Sequence, residues 1–154
     1  MSRPPVRIAA IALAVAACDQ ASKALVRRYF VLGQVRPLLP FFSLTHIENT
    51  GTAFGVLAEK NSFLAITSLL VLLGLAAAHK HLAPERRTGW LGQGLVWGGA
   101  LGNMADRLFR GRVTDFLDVF AGPYHWPSFN VADSAITVGA ALLLWTTTHV
   151  ADPR

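Results

Sequence analysis

The chain has 154 residues, of which 53% are hydrophobic and only 15% are charged. An ordinary soluble domain carries roughly 25% charged residues, so this composition argues against a water-soluble enzyme and against an acid-rich disordered protein. The net charge of +5 lies in short basic clusters between apolar runs, which indicates a membrane surface and no nucleic acid partner. The single cysteine, Cys18, excludes an internal disulfide and a Cys-x-x-Cys motif.

Four apolar runs predict transmembrane helices, each of which needs about 20 mostly apolar residues. They are residues 6–26, 61–78, 90–105 and 133–150. The first run has a second interpretation, a lipoprotein signal peptide ending in Val15-Ala16-Ala17-Cys18. Because the apolar pattern resumes after Cys18, a retained first helix is favoured. We therefore expect a membrane all-α fold, with residues 1–154 as a single integral membrane domain of four transmembrane helices.

The orientation of the chain is predicted from its basic residues. An even number of crossings puts both termini on one side of the membrane. The two sides carry similar numbers of Lys and Arg, but the short loop after the second run concentrates Lys80, Arg86 and Arg87. The positive-inside rule therefore predicts a cytoplasmic location for this loop and for both termini. The two long segments between the runs then face outward.

With this topology the unusual polar residues gather at the outer face. They are Asp19, Gln20, Lys23, the segment Asn49–Gly55, Asn103, Asp106, Arg107, Asp115, Asn130 and Asp133. Ionisable groups within or beside membrane spans are costly, and they are functional candidates by default. Their convergence on one face predicts a site there.

Several of these residues have a structural interpretation beside the functional one. Asp19 and Lys23 have the i, i+4 spacing of an intrahelical ion pair, and this role and a role in shaping the site are equally compatible with the spacing. The glycines at 94, 98 and 102 form a small-residue strip that favours close helix packing. Asp106 and Arg107 are interpreted as structural, while Phe54 can enter lipid or a substrate pocket.

Asp115 and Asp133 are the candidates for catalysis. Asp115 lies in a short extended apolar stretch at the interface, and Asp133 opens the last helix, where capping is its alternative role. Two carboxylates a few Å apart share one proton, so that one can deprotonate water while the other protonates a carbonyl oxygen. Other chemistries lack their motifs, since the sequence contains no His-Glu-x-x-His, no Gly-x-Ser-x-Gly and no P-loop.

Two other functions fit the composition. A small ion-coupled transporter could use Asp19, Asp106 or Asp133 as its proton carrier, but such proteins favour a midplane site and internal repeats. The two halves of this chain share no motif, and its acids gather at one interface. A purely structural membrane protein would leave the polar motifs unexplained.

Five motifs together resemble the bacterial lipoprotein signal peptidases, the signal peptidase II family. They are Asp19-Gln20-x-x-Lys23, Asn49-Thr50-Gly51-Thr52-Ala53-Phe54-Gly55, Gly99-x-x-Gly102-Asn103-x-x-Asp106-Arg107, Gly111-x-Val113-x-Asp115-Phe116 and Phe129-Asn130-x-Ala132-Asp133. They occur in the family's order and, with the four runs, cover nearly the whole chain. Thr52 departs from the pattern, where a smaller or apolar residue is expected.

The resemblance implies an aspartic intramembrane endopeptidase of the bacterial inner membrane, with its active site near the outer leaflet. Its substrate would be a prolipoprotein carrying a diacylglyceryl cysteine, cut just before that cysteine to release the signal peptide. Asp115 and Asp133 would be the catalytic pair. Residues that bind substrate or support the site would be Asp19, Lys23, Asn49, Gly51, Phe54, Asn103, Asp106, Arg107 and Asn130. A small extracytoplasmic sheet between the first two helices would cradle the substrate, and the family needs no metal or cofactor.

Overall fold

The computed structural model describes residues 4–50, 61–82 and 86–150. In chain order their elements are α1 (Pro4–Tyr29), β1 (Val35–Leu39), β2 (Phe42–Asn49), α2 (Asn61–Ala78), α3 (Arg87–Arg110), β3 (Val113–Ala121), β4 (Tyr124–His125) and α4 (Val131–Val150). A single 3-10 turn, His79–His81, follows α2. The prediction of a helical protein with a small sheet is therefore confirmed.

The helices coincide with the four apolar runs, but α1, α3 and α4 are longer than predicted. α3 has 24 residues, or about 36 Å at 1.5 Å per residue, whereas the apolar run alone covers residues 90–105. Its extra turns carry polar residues that end the apolar run without ending the helix. Among the described residues, two helices are long and apolar enough to cross a membrane, Pro4–Tyr29 and Val131–His149, and Ser68–His81 is a shorter apolar helix.

α3 is the central helix and packs most extensively against α4 and α1. Its glycine strip makes this possible. A Cβ added at Gly94 would lie 2.7 Å from Cβ of Ile11, and one at Gly98 would lie 2.6 Å from Cβ of Val15. Any side chain there would push α1 away, so the interpretation of these glycines as a packing strip is confirmed.

The four strands form one antiparallel sheet in the order β1-β2-β3-β4. The prediction placed the sheet in the segment between α1 and α2 alone, and this is wrong. Two of the four strands, β3 and β4, come from the segment between α3 and α4. A two-stranded hairpin alone is marginally stable in water, and β3 completes it with a row of buried residues. In the β2–β3 register Asp115 lies opposite Ile47, close to Asn49.

The turn between α3 and β3 sets the position of Asp115. Gly111 ends α3 with a left-handed φ of 73°, and its N–H donates to the carbonyl of Arg107. This conformation suits glycine because it has no Cβ. β3 begins two residues later, so Asp115 lies next to the C-terminal end of α3.

Candidate active site

The predicted site residues come together where the sheet meets the ends of α1 and α3 and the start of α4. This holds for Asp19, Lys23, Asn49, Asn103, Asp106, Arg107, Asp115, Asn130 and Asp133, which are linked by the contacts given below. Gly51 and Phe54 lie in residues 51–60, outside the described residues. The sequence thus predicted correctly which polar residues share one end of the bundle.

Asp115 is held by two asparagine side chains. It is only 3% exposed on β3. Nδ2 of Asn49, at the end of β2, donates to one of its carboxyl oxygens at 3.1 Å, and Nδ2 of Asn130 donates to the other at 2.7 Å. The two donors fix the plane of the carboxyl group.

Asp133 lies in the first turn of α4, where it forms a capping box with Asn130. The N–H of Asp133 donates to Oδ1 of Asn130 at 2.9 Å, and the N–H of Asn130 donates back to Oδ2 of Asp133 at 3.3 Å. The N-cap is therefore Asn130, and Asp133 closes the box from the third helical position. Its other oxygen, Oδ1, accepts a bond of 2.7 Å from Nδ2 of Asn103.

Beneath this pair lies a fully buried ion cluster. Nζ of Lys23 lies 2.7 Å from Asp19 and 3.1 Å from Asp106, and all three side chains have zero exposure. Asp19 also accepts a 2.9 Å bond from the N–H of Ala132 at the start of α4. The predicted ion pair between Asp19 and Lys23 is present, and it is part of a larger cluster that ties α1 to α3 and α4.

Asn103 connects the ion cluster to Asp133. Its Oδ1 accepts a 2.9 Å bond from Nζ of Lys23 and a 3.3 Å bond from Nδ2 of Asn130. These donors orient the amide so that its Nδ2 points to Asp133. Lys23 therefore helps to orient the asparagine that donates to Asp133.

Arg107 supplies positive charge to the site. It interacts electrostatically with Asp133 and Asp115, and its Nη1 lies 3.4 Å from Oγ of Ser68 on α2. Asp106, the preceding residue, belongs to the ion cluster. The two neighbours thus have different contacts, although the charge of Asp106 also acts on Arg107.

A cavity of about 310 Å³ opens beside Asp133. It is lined by Trp126, Phe129, Asp133, Ser134, Thr137 and Val138. Asp133 is half-buried, whereas Asp115 is buried. A ligand in this mostly apolar cavity would therefore meet Asp133 first.

The environment of Asp115 perturbs its protonation. The pKa of the Asp115 carboxyl is raised from 3.8 to about 6, chiefly because the group is buried and also because the charge of Asp133 is near. The hydrogen bonds from Asn49 and Asn130 and the charge of Lys23 act in the opposite direction. A carboxyl group that titrates near neutrality can give or take a proton during a reaction.

The sequence analysis missed two residues of this site, Arg27 and Thr114. Nη1 of Arg27 lies 3.1 Å from Oγ1 of Thr114 and 3.7 Å from Asp106. The N–H of Thr114 donates to Asp106 at 3.3 Å. Arg27 continues the four-residue spacing of Asp19 and Lys23, and that spacing was a usable signal. Thr114 contributes its hydroxyl to Arg27 and its backbone N–H to Asp106, and no residue pattern reveals the backbone contact.

The chemistry that this arrangement supports is acid–base hydrolysis. Two carboxyl groups share the Asn130 amide, one buried and one beside a cavity, with amide donors around them. In the described part of the chain no group of three or more His, Cys, Asp or Glu side chains has the arrangement of a metal site.

Comparisons with known proteins give one consistent result. The sequence model of the family "Signal peptidase (SPase) II" matches residues 11–149. A lipoprotein signal peptidase of Burkholderia mallei (strain SAVP1) is 46% identical over 142 residues, which cover 88% of this chain and 83% of that protein. One of Syntrophotalea carbinolica is 44% identical over 138 residues, covering 87% and 86%.

Two solved structures share the fold. Both are described as a bacterial membrane enzyme solved by the in meso method. One has a TM-score of 0.80 and 31% identity, and covers 94% of this chain and 90% of its own. The other has a TM-score of 0.77 and 30% identity, with coverages of 93% and 92%.

Proposed function

Because the chain belongs to the signal peptidase II family, a family of peptidases, we propose that it is an aspartic endopeptidase. It removes the signal peptide from diacylglyceryl-modified prolipoproteins by cutting just before the lipidated cysteine. The observation that carries the aspartic mechanism is the joining of Asp115 and Asp133 through the single side chain of Asn130.

In the proposed mechanism the two carboxyl groups have different roles. Asp115 holds the shared proton, since it is buried and its pKa is raised to about 6. Asp133 is the carboxylate. The side chain of Asn103 and the backbone N–H of Asn130 donate to it, and the helix dipole at the N-terminus of α4 favours negative charge. Asp133 also faces the cavity from which water and substrate would reach it.

The reaction then proceeds by addition of water to the peptide bond. Asp133 removes a proton from water as the water oxygen bonds to the carbonyl carbon, and Asp115 donates its proton to the carbonyl oxygen. The tetrahedral intermediate breaks its C–N bond, and the proton taken up by Asp133 passes to the amine of the departing cysteine. The hydroxyl proton returns to Asp115 as the new carboxyl group forms, which regenerates the starting state.

The remaining polar residues position this pair. Asn49, Asn103 and Asn130 hold the carboxyl groups in place, while the charge of Arg107 stabilises negative charge that develops nearby. Asp19, Lys23 and Asp106 brace the helices that carry them. Gly51 and Phe54 are assigned to substrate binding from the family motif alone.

The membrane placement is part of the same proposal. Residues 1–154 form a single domain in the bacterial inner membrane, with α1 to α4 all crossing it and both termini in the cytoplasm. The outward sheet and the site then lie near the outer leaflet, where a lipid-anchored cysteine would present its peptide bond. The composition and the membrane-enzyme neighbours support this placement.

The substrate assignment is tested with purified protein and two forms of one precursor. One form carries a diacylglyceryl group on its lipobox cysteine, and the other has the same sequence without lipid. We expect cleavage of the lipidated form only, with product masses that place the cut just before the cysteine. Cleavage at another bond, or equal cleavage of the unlipidated precursor, would contradict the proposal.

A further inference from the structure

A second cavity lies between α1, α2 and α3, in the half of the bundle away from the carboxylates. Its volume is about 520 Å³, within the range of about 300 to 1,000 Å³ that ligand sites occupy. Its wall is almost wholly apolar and includes Ile8, Ala12, Leu13, Ala76 and Trp97. Of its described lining residues only His79 can ionise. We call this cavity the apolar groove.

His79 marks the polar end of the apolar groove, and a buried glutamine orients its ring. Nε2 of Gln93 donates to the carbonyl of Leu82, so Oε1 of Gln93 is an acceptor and Nδ1 of His79 donates to it at 2.7 Å. Gln93 has zero exposure. The imidazole is therefore fixed, with its Nδ1 turned toward Gln93.

Basic side chains surround this end of the groove. Arg7 of α1 lies 5.4 Å from the ring of Trp90 on α3, Lys80 follows His79, and Arg87 begins α3. We call Arg7, His79, Lys80 and Arg87 the basic cluster. In the described part of the chain all carboxylate side chains lie in the other half of the bundle.

The described residues at this end show the imbalance of charge. They include the basic residues Arg7, Lys80, Arg86 and Arg87 and no acid. An apolar groove that ends in net positive charge is complementary to a molecule with an acyl chain and an anionic head.

We propose that the apolar groove binds an acyl chain of an anionic glycerophospholipid, with its phosphate at the basic cluster. The lipid belongs to the leaflet opposite the candidate active site, so the inference rests on the proposed membrane placement and not on the proposed catalysis. A signal peptide is a poorer occupant, because its basic N-terminal region would meet like charges at the cluster.

The test measures lipid binding by native mass spectrometry of the detergent-purified protein, with phosphatidylglycerol and phosphatidylcholine of identical acyl chains. We expect phosphatidylglycerol to bind at least fivefold more tightly. The double variant Lys80→Gln/Arg87→Gln should lose about fivefold in affinity for each charge removed. Leu13→Trp, at an exposed wall position, should fill the groove and weaken binding of both lipids.

Matched controls come from the other end of α1. Arg28→Gln removes an exposed charge and Leu25→Trp adds the same bulk at an exposed position, and neither should change lipid binding. Equal binding of the two lipids, or wild-type affinity in the double variant, would overturn the proposal. So would displacement of the bound lipid by an unlipidated signal peptide.

Cleavage assays on the same protein separate this inference from the proposed function. The double variant should cleave the lipidated precursor at the wild-type rate in detergent while having lost the lipid. A protein that binds phosphatidylglycerol as expected but does not cleave would contradict only the proposed function.

Discussion

Asn130 donates a 2.7 Å hydrogen bond from Nδ2 to Oδ1 of Asp115 while its own Oδ1 accepts the N–H of Asp133. One amide thus fixes the N-terminal end of α4 against the sheet and joins the two carboxyl groups. The same residue caps a helix and orients a reactive group, so the structural and functional interpretations of this region apply together.

Replacing Asn130 by serine separates these two roles. Serine keeps an N-cap acceptor for α4 but removes the Nδ2 donor that stabilises ionised Asp115, so the pKa of Asp115 rises. We expect kcat/KM to fall by about tenfold or more. In the pH profile of kcat/KM, the alkaline limb should move to higher pH. Thr148→Ala removes a hydroxyl bonded to backbone carbonyls at the far end of the same helix and should leave the limb in place. An unmoved limb in Asn130→Ser would contradict this role.

The raised pKa of Asp115 also predicts a pH dependence of stability. Its folded value of about 6 exceeds the ordinary value of 3.8, so the folded state holds the proton more tightly than the unfolded state. The resulting stabilisation, of about 3 kcal/mol, is complete below pH 3.8 and is lost as the pH rises through 6. Measured as a function of pH, the Tm of Asp115→Asn should not show this decline. The Tm of Asp118→Asn, a change on the same strand, should still show it.

The buried ion cluster predicts a large effect for one substitution. Lys23→Met leaves Asp19 and Asp106 buried without their shared cation, which typically costs about 3 to 5 kcal/mol. Arg112→Gln breaks an exposed ion pair with Glu48 and should change stability by less than about 1 kcal/mol. Denaturant titration of both variants checks this contrast, and equal stabilities would show that the cluster does not brace the fold.

Gly102 predicts a steric effect on the same cluster. A Cβ there would lie 2.6 Å from Oδ2 of Asp19, whose carboxylate is held by Lys23 and by the N–H of Ala132. Gly102→Ala should cost about 1 to 3 kcal/mol and lower the cleavage rate. Gly74→Ala in α2 meets nothing within 4 Å and should be neutral or slightly stabilising, so a similar loss in both variants would refute the steric explanation.

The sequence predicted the helices and the family well, for physical reasons. Apolar runs long enough for a bilayer have few alternatives to helix, so α1, α2, α3 and α4 all coincide with them. Motif order also predicted family membership, which the match over residues 11–149 confirms.

Long-range pairings could not be predicted in the same way. Asp19 and Lys23 were paired by spacing, but Asp106 joins them only because α3 packs beside α1. The extended stretch around Asp115 was expected, but not its pairing with β2, since strand partners are not encoded locally. The backbone N–H of Thr114 donates to Asp106, a contact that no side-chain pattern encodes. The end of α3 is set by the turn at Gly111 and not by the end of the apolar run.

The central claim, that Asp115 and Asp133 perform the hydrolysis, is tested most directly by cleavage of a purified lipidated precursor by Asp115→Asn and by Asp133→Asn. The folding of each variant is checked by its melting transition, and Thr148→Ala, at the far end of α4, serves as an active control. We expect both Asp variants to fold and to lose cleavage by a factor of about 10³ or more. Cleavage near the wild-type rate by either folded variant would contradict the account.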